Sequence, residues 1–132
     1  MDITTIKPGI GVGDIRLNCV PGDIIDLLGE PESKDAGTDS DMWYYSSLNL
    51  SVMFEKQENA EWRLIEIDAS DPAIRINNIA IYDVPRDEAE ELLAKAGLRN
   101  GRWVGDSLTF HKERLSFGFF DGLLEEVMVL TP

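Results

Sequence analysis

Positive charge is scarce in this sequence. Twelve Lys and Arg stand against 25 Asp and Glu, a formal net charge of −13. A field of that sign repels phosphate backbones and anionic lipid, so neither nucleic acid nor a membrane is expected as a partner, and a basic protein is. Cysteine is scarcer. Cys19 is the only one, so no internal disulfide forms and no zinc-type cysteine spacing exists. Histidine occurs once, at His111 in the turn-like "FHKER". That leaves no local Cys–His or Ser–His–Asp pairing to activate a nucleophile. No apolar run approaches the roughly 20 residues of a membrane helix. The opening "MDITTIKPGIGVGD" has no basic stretch running into an apolar one, so no secretory signal is read. With the lone thiol, this leads to the expectation of a cytoplasmic protein.

What is present is ordinary for a globular chain. Apolar residues make up 43% of 132, enough for one compact domain and too many for disorder. The acidity is uneven. Residues 1–70 carry 14 acids and 5 bases, residues 71–132 carry 11 and 7.

The chain also repeats itself. "NCVPGDIIDLLGEP" (18–31) is echoed by "YDVPRDEAEELLAKAG" (82–97). Val20 and Pro21 correspond to Val84 and Pro85, Asp23 to Asp87, Leu28 to Leu92. Proline suits a first helical turn because its missing N–H has no partner there. The Asp two residues on meets the positive helix end, and Gly29 and Gly97 follow as stops. "WYYSSLNLSVMF" (43–54) then matches "LTFHKERLSFGF" (108–119) as alternating hairpins, and "LIEIDA" (64–69) matches "LEEVMV" (124–129) as a third strand. Asp121-Gly122 marks a tight turn. The expected fold is α+β: a duplicated helix–β-meander unit forming one antiparallel sheet with two helices on one face. The domain is 1–132, with repeats at 10–69 and 76–130 and a connector at 70–75. Trp43, Tyr45, Leu50, Val52, Phe54, Leu108, Phe110, Leu115, Phe117 and Phe119 share the core face.

The pattern "LLGEP" followed by "WYY" and a β-meander resembles the unit of the beta-lactamase inhibitor protein-like fold. The same unit occurs singly in lipoprotein assembly factors of the SmpA/OmlA type. The resemblance covers Ile10–Ala69 and Ile76–Leu130. It implies a sheet used to bind protein. It also implies kinship with small acidic bacterial proteins that neutralise a companion toxin.

Alternation assigns Tyr44, Ser51, Met53, Thr109, Ser116, Gly118 and Phe120 to the opposite face. If Ile65 and Ile67 point inward, Glu66 and Asp68 point out, as do Glu126 and Met128. A one-residue slip of register would exchange the faces. The expected partner-binding residues are Tyr44, Met53, Glu66, Asp68, Phe120, Glu126 and Met128, with no catalytic residue, metal or cofactor. The function expected is a non-catalytic, immunity-type inhibitor that occludes a basic toxin or enzyme. The alternative is a small-ligand or assembly-factor module on the same face. Other motifs read as structure. "DAGTDSD" (35–41) is a polar loop without the terminal Glu of a calcium loop. "GIGVGD" (9–14) opens no helix. "RDEAEELLAK" (86–95) is a solvated amphipathic helix. Trp62 and Trp103 stand outside the repeat, as rim packing or as partner anchors.

Overall fold

A computed structural model describes residues Met1–Pro132. The chain runs β1 (Thr5–Lys7), β2 (Gly11–Val12), β3 (Ile15–Arg16), α1 (Pro21–Leu28), β4 (Ser33–Ala36), β5 (Ser40–Tyr45), β6 (Leu50–Lys56) and β7 (Trp62–Ala69). It continues with β8 (Arg75–Ile76), β9 (Ile79–Ala80), α2 (Arg86–Lys95), β10 (Arg102–Val104), β11 (Ser107–Phe110), β12 (Leu115–Phe120) and β13 (Leu123–Leu130). Two sheets result. The larger has the order β10-β11-β12-β13-β7-β6-β5-β4, and the smaller β3-β2-β1-β8-β9.

The expected fold class is corrected on two points. The protein is mostly β, with 44% of residues in strands and 16% in helices. It has two sheets, so it is not a duplicated helix–meander unit closing one sheet. The reason lies in the short segments before the helices. Ile76-Asn77-Asn78-Ile79 turns on two asparagines with φ of 48° and 64°, the twist a two-residue hairpin needs. Gly13, at φ 58°, turns β2 into β3, and a Cβ there would lie 2.0 Å from the Asp2 carbonyl oxygen. These hairpins do not extend the large sheet. They pair with one another, β1 parallel to β8 through Thr5↔Arg75 and Ile6↔Ile76.

Local chemistry accounts for the helix ends. Pro21 occupies the first turn of α1, and Asp23 accepts the Val20 N–H at 3.1 Å. Gly29 ends α1 at φ 81°. Tyr45 donates its hydroxyl proton to the Gly29 carbonyl at 2.8 Å, fastening α1 to β5. Pro85 sits one residue before α2 and serves as its cap.

The helices and the small sheet cover one face of the large sheet. α1 and β2 pack on β7, and α2 and β2 on β13. Along β6 the residues alternate between buried and half-buried: Leu50, Val52 and Phe54 against Ser51 and Met53. The core-face residues named from the sequence are all buried. Two β-bulges bend the middle strands. Ile65 is the extra residue opposite the Met53–Phe54 step, and Glu125 the extra one opposite Gly118–Phe119. The bulge corrects the expectation that Ile65 points inward. Leu64 and Ile67, three apart, take the core positions and Ile65 stays half-buried.

Candidate partner-binding face

The other face of the large sheet is bare. Its residues line up in rows set by strand register. One row runs Ser33, Tyr44, Ser51, Asp68, Met128, Ser116, Thr109, Arg102. The next holds Met42, Met53, Glu66 and Leu130. On the other side, Val104, Ser107, Gly118 and Glu126 follow one another across four strands. All seven expected contact residues are on this face. They do not form one cluster. Tyr44, Asp68 and Glu126 border a single shallow cavity of about 330 Å³. Met53 sits beside Glu66, and Met128 beside Asp68. Phe120 stands apart at the far end of β12, 52% exposed.

Most of the residues lining the cavity are polar. Ser46, Asn49, Leu50, Ser51 and Ser70 complete its wall. Asn49 takes a left-handed conformation, φ 51°, at the end of the short 3-10 turn Ser46–Leu48, and its carbonyl accepts the Ser70 N–H and hydroxyl. Sequence reading missed this rim. The Asn in "SSLNL" was the available signal, since Asn tolerates positive φ in turns.

Asp68 is the centre of the electrostatics. Its Oδ2 accepts the Ser51 hydroxyl at 3.3 Å, and its buried Oδ1 has no hydrogen-bond partner. Burial penalises its charged form first. The charges of Glu66 and Glu126 add to this, lifting the carboxyl to about 8. Glu126 is raised as well, by burial and then by Glu66. Burial, with two acids beside it, thus favours the protonated form of Asp68. None of the three ion pairs in the protein includes Glu66, Asp68 or Glu126. In the Asp68 row the nearest base is Arg102, four strands away, or about 19 Å at ordinary strand spacing. The three acids do not converge as a metal ligand set.

The remaining motifs are structural. Trp103 packs against Phe119 with the rings tilted and centroids 5.1 Å apart, lies under the Arg86 guanidinium at 4.0 Å and donates its indole proton to Glu90 at 2.6 Å. Its polar and apolar surfaces are thus both used within the chain. Trp62, half-buried, pairs with Lys56 near the start of β7. Within "DAGTDSD" the first residues belong to edge strand β4. Cys19 is half-buried, and burial pushes its thiol up to about 11, which leaves little thiolate to react.

No protein-family model matches the chain, and no curated protein sequence does. Among solved structures it is similar to a crystal structure of an extracellular protein containing a SCP domain from Bacillus anthracis str. Ames. The TM-score is 0.52 and the identity 12%. The alignment covers 87% of this chain and 44% of that one. At that identity the likeness concerns the fold alone. The chain spans less than half the length of this neighbour.

Proposed function

We propose that this protein is a non-catalytic binding module whose bare sheet face docks a basic protein. The observation that carries the reading is the set of three unpaired acids, Glu66, Asp68 and Glu126, at the seam between β7 and β13. A protein that needed only solubility would keep such acids apart in water. Here burial and two like neighbours favour the protonated form of one of them. An incoming Lys or Arg would displace that proton and supply the missing partner for Asp68 Oδ1. The net charge of −13 would speed the encounter. In its more specific form the proposal is an immunity-type inhibitor acting in the cytoplasm, which occludes the cleft of a basic toxin or enzyme. The resemblance of "LLGEP" and "WYY" to beta-lactamase inhibitor protein-like units supports that form.

The test is co-purification from the native host, with wild type and the double variant Glu66→Lys/Asp68→Lys side by side. The expected catch is a basic protein that binds wild type, associates more slowly as salt rises and is lost on the double variant. A partner that is acidic, or one that binds both forms equally, would overturn the reading.

A further inference from the structure

Gly118 is a glycine that the fold does not require. Its φ lies outside the left-handed range, and an added Cβ would meet only ordinary contacts, with Glu126 Cβ at 3.6 Å and Phe120 Cε2 at 3.8 Å. Glycine inside a strand weakens it. The β-bulge beside it does not demand glycine either. At the corresponding step of β6 the residue is Met53. What Gly118 does provide is a low floor on the bare face. Ser107 lies next to it in register, and Val104 next to Ser107. Val104 and Phe120 are 62% and 52% exposed, among the most exposed large apolar side chains in the chain. A bare floor between two exposed apolar walls is the shape that receives an apolar side chain.

We propose that Val104, Gly118 and Phe120 seat one aromatic side chain of the docked segment while the acids at the β7/β13 seam hold a basic one. This rests on the docking face proposed above. Gly118 is two strands from β7 and one pleat along from the Asp68 row, about 12 Å by standard sheet dimensions. An extended segment covers that span in about four residues. The partner segment therefore carries a Lys or Arg and an aromatic residue four positions apart, crossing the strands.

Three capped peptides, Lys-Gly-Ser-Gly-Trp, Lys-Gly-Ser-Gly-Gly and Gly-Gly-Ser-Gly-Trp, would be titrated into the 15N-labelled full chain. The Lys/Trp peptide should shift the amides around both Asp68 and Gly118 and bind about fivefold tighter than the Lys/Gly peptide. Gly118→Val, which fills the floor with a good strand former, should abolish that advantage and leave the Lys/Gly peptide unaffected. Phe120→Ala should reduce it. Equal affinities for the two lysine peptides, or an advantage that survives Gly118→Val, would overturn the seat. If the Gly/Trp peptide shifts Gly118 while neither lysine peptide reaches Asp68, the basic-docking reading falls and the seat stands. If no peptide perturbs the face, both fall.

Discussion

The two faces of the eight-stranded sheet are made from alternate residues of the same strands, and they obey different rules. On the inner face, Val52, Phe54, Leu64, Ile67, Leu115, Phe117 and Val127 lie against one another with almost no exposure. Every position is apolar. On the outer face, neighbours in register change character at each strand: Tyr44, Ser51, Asp68, Met128, Ser116. The inner face is selected by packing, which tolerates one chemistry. The outer face combines small residues, acids and exposed apolar groups. Packing within this chain explains none of that mixture.

The contrast can be broken most sharply from the inside. Phe117→Ala should cost about 3–5 kcal/mol in a urea unfolding experiment, the usual loss for a buried ring. A cost under about 1 kcal/mol would mean the faces are reversed. The β7/β13 seam on the outer face responds to pH. The Asp68 carboxyl is higher in the folded protein, at about 8, than its ordinary 3.8. The folded state thus binds the proton more tightly, and this group's contribution to stability falls as pH rises from about 4 to about 8. Asp68→Asn removes that titration and keeps a partner for Ser51. It should be more stable than wild type at pH 8, with the difference shrinking toward pH 4 by up to about 1.4 kcal/mol per pH unit. Parallel curves for the two proteins would show that Asp68 ionises there without penalty. The smallest effect belongs to the outer face alone. Tyr44→Ala should change stability by less than about 1 kcal/mol. A loss above about 2 kcal/mol in the same assay would mean that Tyr44 is packed.

How much of this was legible depends on the length of the element. β5, β6, β11 and β12 alternate over four to seven residues, long enough for period two to separate the faces. The helices announce themselves through Pro21, Pro85 and the Asp two residues on. The small sheet did not. Its strands have two or three residues, too few for a period, and its parallel pairing joins residues seventy apart. β4 and β10 were missed because these edge strands have only four and three residues, too few for a period. "VGDS", with Gly105 at φ 59°, was the unread turn that would have revealed β10 and with it Val104. At the candidate site the acids and Tyr44 follow from alternation. The bulges at Ile65 and Glu125 do not, since Ile65 and Ile67 by themselves read as an unbroken alternation that hides the shift of phase.

The parallel ladder between β1 and β8 and the antiparallel one between β7 and β13 both join distant parts of the chain: Thr5 to Arg75, Ile67 to Val129. A chain emerging from synthesis reaches residue 69 with β5–β7 complete. It still lacks α2, β13 and half of the small sheet. The inner surface of β7 can then be covered only by α1 and β2, and β7 presents an unpaired edge. Loop-closure entropy must be met before either ladder forms. The two ladders that join the halves can therefore form only once β8 and β13 have been made.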